Sequence, residues 1–139
     1  ENLGSRILEK LNLPVRNREP KNEAWKKFVN ASKSGKRSVD IGIVGKYFAT
    51  GNFNLTDSYI SVIESVKYAA AANHCKVNLH WLSAEEVEKK GVSVLKGMDG
   101  LIIPQGWGGR GAEGKIAAIK YCREKKIPIL VFATACKWL

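Results

Sequence analysis

Gly100-Leu-Ile-Ile-Pro-Gln-Gly-Trp-Gly-Gly-Arg-Gly-Ala-Glu-Gly-Lys-Ile116 decides the fold, together with Ile127-Pro-Ile-Leu-Val-Phe-Ala133 a short way on. Leu101-Ile-Ile103 is apolar at every position, the pattern of a strand covered on both faces. Glycines at 106, 108, 109 and 111 make a turn that side chains would obstruct. Glu113–Lys125 then repeats apolar residues at helical spacing, with Ile116, Ile119 and Cys122 inward and Lys115, Lys120 and Arg123 outward. Pro128–Phe132 reads as a second buried strand. Strand, turn, helix and strand in that order predict parallel strands joined by a crossover helix.

Working back towards the start, the same alternation continues. Val39-Asp-Ile-Gly-Ile-Val44 is a β-branched run that reads as a strand. Ala49–Leu55 is a loop with turn formers Gly51 and Asn52. Thr56 or Asp57 can cap a helix running to about Ala72, with Ile60, Ile63, Val66 and Ala70 as its buried stripe. Lys76–Leu82 alternates Val77, Leu79 and Trp81 with polar residues, a strand of period two. Ser83 with Glu86 three residues later is a capping-box pattern for a short helix to Lys90. The fold predicted is α/β, a parallel sheet with helices on both faces.

Residues 1–37 read differently. A short helical turn is expected at Ser5–Leu11 and an amphipathic helix at Glu23–Ala31, where Trp25 and Phe28 share a face. Pro14 and Pro20 interrupt the stretch between them. This segment is predicted to be a linker, with the compact domain in residues 38–139. The chain opens on Glu1 with no initiator methionine, which suggests a start inside a longer reading frame or a processed end.

The totals narrow the functional classes. A chain of 139 residues with 45% hydrophobic and 26% charged residues can bury one core. No apolar run approaches the roughly 18 residues of a membrane helix, and no signal-peptide pattern is visible, so no membrane partner is expected. Cys75, Cys122 and Cys136 are odd in number and widely spaced, which fits a reducing, cytoplasmic setting rather than a disulfide framework. With only His74 and His80, no metal site is expected. The net charge of +10 is concentrated at the two ends: residues 1–40 carry 10 basic against 5 acidic residues, and residues 100–139 carry 7 against 2. No basic stretch is interleaved with several aromatics, so a solvated face, or a basic rim that meets anionic nucleotides or a partner domain, is expected rather than nucleic acid.

The glycine turn alone allows several readings. Gly106, Gly108 and Gly111 match G-x-G-x-x-G, but residues 127–133 hold no acidic residue for a ribose. Gly109 to Lys115 matches G-x-x-x-x-G-K, but Ile116 stands where a magnesium-binding hydroxyl belongs. A turn at a strand's carboxyl end can also present main-chain N–H groups to a developing oxyanion. A turn that simply reverses the chain remains a fourth reading.

Longer stretches resemble one family. Val44-Gly-Lys-Tyr47, then Asp57-Ser-Tyr-Ile-Ser-Val-Ile-Glu64, then Pro104 to Ile119 followed by Tyr121-Cys-Arg-Glu124, look like the amidotransferase half of the CTP synthase family. These are class I glutamine amidotransferases with a flavodoxin-like fold. The family pattern at the turn is Pro-Gly-Gly-Phe-Gly-x-Arg-Gly-x-Glu-Gly-Lys, and the likeness extends to Leu130. Leu3 to Arg18 resembles the tail of the synthetase half plus the interdomain linker. The resemblance implies that glutamine is hydrolysed by a cysteine thiolate, with a histidine as base oriented by a glutamate. The ammonia then serves ATP-dependent amination of UTP to CTP, with magnesium, and with GTP as activator. It implies a synthetase domain as partner and a homotetramer, and no cofactor held by this stretch itself.

Carried onto this sequence, the nucleophile falls at Ala133, which has no nucleophilic atom. The glutamine-binding and oxyanion positions fall at Gln105, Gly106 and Thr134, with Gln105 replacing the family's first glycine. A positive φ there would strain a side chain. Trp107 replaces phenylalanine and is a candidate for stacking on the GTP base or for plain packing. Cys136 lies three residues beyond the nucleophile position, almost a full helical turn away, too far to substitute for it. The histidine and glutamate would lie past Leu139. The chain is therefore expected to be a truncated, inactive piece of the enzyme, or a binding module derived from it.

The likeness stops abruptly at Val131. The family-like sequence Gly-Leu-Cys-Tyr-Gly-Met-Gln-Met-Ala can be encoded GGT CTT TGC TAC GGC ATG CAA ATG GCT. Removal of the first base gives GTC TTT GCT ACG GCA TGC AAA TGG CTN, which translates as Val131-Phe-Ala-Thr-Ala-Cys-Lys-Trp-Leu139. A one-base slip in the gene or its sequencing would produce this tail and hide the cysteine.

Overall fold

The computed structural model describes residues 3–14, 23–47, 49–50, 53–54 and 56–132. Two helices come first, α1 (Leu3–Lys10) and α2 (Glu23–Ser34), and neither buries a residue. Phe28 of α2 stacks on Trp25 at 5.3 Å between ring centroids and meets Tyr68 edge-on at 5.1 Å. The expected pairing of Trp25 and Phe28 on one face is present.

Strand β1 (Arg37–Gly45) follows, then a two-residue antiparallel ladder of β2 (Ala49–Thr50) with β3 (Phe53–Asn54) inside the predicted loop. Gly51 and Asn52 lie outside the described residues. A 3₁₀ turn at Thr56–Tyr59 leads into α3 (Ile60–Ala72), and β4 (Cys75–Ser83) runs into α4 (Ala84–Lys90). A second 3₁₀ turn, Val92–Leu95, precedes β5 (Gly100–Ile103). Helix α5 (Ala112–Lys125) and strand β6 (Ile129–Val131) complete the described elements.

The main sheet has the order β4-β1-β5-β6, and all three pairings are parallel. Taken as four strands in chain order, this is 2-1-3-4, the flavodoxin-like winding that the family resemblance implies. Each parallel neighbour needs a crossover segment, and α3 and α5 with the elements around them supply these. Gly100–Ile103 is buried at every position. On one face, Val44, Leu101 and Ile103 pack with Val87, Ala118, Ile119 and Cys122. On the other, Ile43 and Ile102 pack with Tyr59 and Val62. Each fully buried side chain of this kind contributes about 1.5–3 kcal/mol by leaving water. Gly114 lets α5 lie against the start of α4, because a Cβ there would overlap the Ala84 carbonyl oxygen.

Four local expectations are corrected. In α3 the expected Ile63 is buried and Val66 packs against the core, but Val62 and Ala71 are buried in addition and Ile60 is 50% exposed. The 3₁₀ turn before α3 puts Tyr59, rather than Thr56 or Asp57, at the N-cap position of the helix, and Tyr59 makes no side-chain cap bond. Ser83 is the N-cap of α4 but makes no side-chain cap bond, and Glu86 pairs instead with Lys90 at 2.6 Å. Lys115, expected on the outer face of α5, is 6% exposed. Its helix lies across the glycine turn, so a polar acceptor awaits it inside.

Candidate functional site

In an open α/β sheet the ligand crevice lies beyond the strands' carboxyl ends, where the winding reverses. Here that point lies between β1 and β5, which are adjacent but wound in opposite directions. Beyond β1 come Lys46 and Tyr47, and beyond β5 comes the turn from Pro104 to Gly111. The sequence thus puts its two most specific motifs on one rim.

Buried side chains hold the turn from below. Lys115 Nζ donates to the Pro104 carbonyl at 2.8 Å. Tyr59 Oη donates to the Gln105 carbonyl at 3.1 Å and accepts from the Lys46 N–H at 3.3 Å. Lys46 Nζ donates to the Trp107 carbonyl and, at 2.6 Å, to the Gly108 carbonyl. The Trp107 N–H donates to Tyr47 Oη at 2.9 Å, and the Tyr47 and Tyr59 rings stack at 5.9 Å. Gly106 fits because a Cβ there would stand 2.7 Å from Lys46 Cδ and 3.1 Å from Lys115 Nζ. Arg110 ties the outer limb to α4 through Glu85 at 2.7 Å and to the Lys46 carbonyl at 3.3 Å.

Three cations therefore surround the turn, and Glu85 is the carboxylate that meets one of them. Burial, with the Lys46 ammonium beside it, lowers the Lys115 pKa to about 8. Burial raises that of Tyr59, which keeps it a hydroxyl donor. Among the described residues, neither the Gln105 N–H nor the Gly106 N–H donates a hydrogen bond. Two adjacent donors at a strand's carboxyl end can stabilise negative charge on an oxygen placed against them.

Gln105 is exposed, Gly106 half-buried, and Trp107 is 77% exposed. Gln105 is not among the residues of positive φ, so the strain expected from replacing glycine does not arise. Strand β6 pairs Val131 with Ile103, and the Phe132 N–H donates to the Ile103 carbonyl at 3.0 Å. The chain therefore leaves β6 beside the start of the glycine turn. Ala133, Thr134 and Cys136 lie outside the described residues. Among the described residues no three His, Cys, Asp or Glu side chains converge, and no helix is long and apolar enough to cross a membrane.

The sequence reading missed Lys46, Tyr47, Tyr59 and Lys115 as parts of the site. The first three stand in the two motifs quoted for the family likeness, yet their spacing carries no signal of where the turn will sit. Lys115 gave a misleading one, since a lysine on a helix ordinarily faces water.

A parallel sheet of this winding, with a glycine turn presenting amides at the switch point, defines an α/β domain of the class whose ligands bind at the carboxyl rim. The family profile "Glutamine amidotransferase class-I" matches residues 54–131, more than half of the chain, and the chain belongs to that family. The match ends at Val131, where the family likeness also stops. The chain is similar to the CTP synthase of Thermococcus gammatolerans, at 46% identity over 130 residues, covering 94% of this chain and 23% of that protein. The CTP synthase of Caldanaerobacter subterraneus subsp. tengcongensis is 42% identical over 125 residues, with 89% and 22% covered. Among solved structures, the glutaminase domain of Trypanosoma brucei CTPS with bound acivicin superposes with a TM-score of 0.61 and 29% identity. It covers 70% of this chain and 37% of that one. The chain spans about a quarter of the length of the curated relatives it matches.

Proposed function

We propose that this chain is part of the glutaminase half of a CTP synthase. The observation that carries the reading is the pair of amides at Gln105 and Gly106 that donate to none of the described residues, beside the end of β6, in a chain 46% identical to such an enzyme over 94% of its length. Glutamine would place its side-chain carbonyl oxygen against those amides, with Thr134 completing the hole and residue 133 in the nucleophile's position. A cysteine there would attack the amide carbon, and the charge arriving on oxygen would meet donors already in place. The ammonia released would serve the ATP-dependent amination of UTP. ATP and magnesium would act in the synthetase domain, outside this chain, within a cytoplasmic homotetramer. Trp107 offers a face for the guanine of GTP.

Ala133 favours a second reading for the chain as it stands: a module that binds glutamine, a nucleotide or the synthetase partner without hydrolysing anything. A glutaminase assay on the 139-residue chain is expected to read zero under both readings. Restoring the frame at codon 131 and extending through the histidine and glutamate should revive hydrolysis under the enzyme reading alone. The nine-residue tail supports a one-base slip as its origin. Independent sequencing of the locus with no cysteine codon in the neighbouring frame would refute the slip.

A further inference from the structure

We propose that Lys115 and Tyr59 are positioning residues that lock two consecutive peptide planes, so that the Gln105 and Gly106 N–H groups face the rim together. This rests on the amidotransferase reading, and it assigns the work to side chains that do not touch glutamine. No peptide bond in the described residues is cis. In a planar trans peptide the C=O and the following N–H point in opposite directions. A carbonyl held from below therefore turns the next residue's N–H upward.

Four of the five consecutive carbonyls from Pro104 to Gly108 are held in this way, by Lys115, Tyr59 and Lys46. The Pro104 carbonyl on Lys115 Nζ sets the Gln105 N–H, and the Gln105 carbonyl on Tyr59 Oη sets the Gly106 N–H. The next plane is reversed, because the Trp107 N–H is taken by Tyr47 Oη. The Gln105 and Gly106 donors thus form an adjacent pair closed off at Trp107, and the carbonyls that Lys46 holds belong to the next part of the turn. Tyr59 is 2% and Lys115 6% exposed, so water competes little for either bond. Lys115 adds a second effect: a cation on the carbonyl polarises the whole peptide and makes the Gln105 N–H a stronger donor.

The test is NMR on the ¹³C,¹⁵N-labelled 139-residue chain, with Lys115→Met and Tyr59→Phe as variants that keep the buried stem and ring. Lys115→Met is expected to shift the Pro104 carbonyl carbon and the Gln105 amide. Tyr59→Phe is expected to shift the Gln105 carbonyl carbon and the Gly106 amide. Neither should move the other's pair, and the Ile103 and Ala118 resonances should stay in place. A variant that leaves its own pair unmoved, or moves both pairs alike along with the core, overturns the proposal. Should a variant fail to fold, wild-type amide exchange decides. Trp107 is expected to exchange at least about tenfold more slowly relative to its unstructured rate than Gln105 or Gly106. Equal protection at all three counts against the locked planes. Glutamine is added to the wild type as a separate arm. If the plane-specific shifts hold but the 105 and 106 amides ignore saturating glutamine, the amidotransferase reading alone fails.

Discussion

Lys115 carries a charge into surroundings that disfavour it, and its titration gives a stability signature. Its pKa falls from 10.5 to about 8 through burial and the nearby Lys46 ammonium. Between those values the unfolded chain binds more protons than the folded one, so this residue's contribution to stability rises with pH from about 8 to about 10.5. Below pH 8 the lysine is protonated in both states and the cost of its burial is fully present. The urea midpoint of the wild type, relative to Lys115→Met, should therefore climb between pH 7.5 and pH 10, and a flat difference would argue against a buried ammonium. At Gly106 the expectation is steric. Gly106→Ala must displace the Lys46 stem, at a cost of about 1–3 kcal/mol. The denaturation midpoint should fall accordingly, with Trp107 fluorescence changed as the turn lifts. A midpoint unchanged from wild type would mean that Lys46 yields freely.

At the scale of elements, α4 and α5 meet through the bare backbone of Gly114. A methyl group there would overlap the Ala84 carbonyl, and no flexible side chain is available to move aside. Gly114→Ala should therefore cost about 3 kcal/mol, the upper part of the overpacking range, read as a lower urea midpoint at unchanged slope. A loss under about 0.5 kcal/mol, typical of a surface substitution, would show that the helices separate easily. The strands and α5 were legible in the sequence because Leu101–Ile103 is uniformly apolar and because residues 113–125 keep a helical period. That the strands run parallel followed from their alternation with helices, whereas their order came only from the family resemblance. The caps were less legible. Ser83 and Glu86 have the right spacing, yet Glu86 finds Lys90 one turn on, and α3 is entered through a 3₁₀ turn that no residue type announces. The site was half legible. Pro104 to Gly111 marked the turn, but what grips it comes from Lys46, Tyr47, Tyr59 and Lys115, brought there by chain winding that local spacing does not encode.

For the whole molecule, the described sheet ends on β4 and β6, and both outer edges lack a further strand among the described residues. Beside β6 an apolar groove of ≈ 470 Å³ opens between α3 and the sheet, lined by Ile41, Val62, Val66, Ile102, Leu130 and Phe132 among others. Leu130 is 55% exposed on that edge strand. A short apolar edge with such a groove invites association, which the net charge of +10 opposes through repulsion. Light scattering on the isolated chain should show particle size growing with protein concentration, and more steeply as salt screens the charge. Leu130→Lys should reduce that growth, and a monodisperse monomer at every salt concentration would contradict it.

β1 occupies the middle of the sheet yet is the first of its four strands to be made. Its partner β4 begins 30 residues after β1 ends, and β5 begins 55 residues after. At synthesis rates of about 5–20 residues per second, the strand waits roughly 3–11 s for its second neighbour. During that interval an Ile-Val ribbon leaves the ribosome with both flanks unpaired at first, and with one flank unpaired once β4 has followed it. Nascent chains arrested where β1 has left the ribosome and β5 has not should be the most chaperone-dependent in a length series.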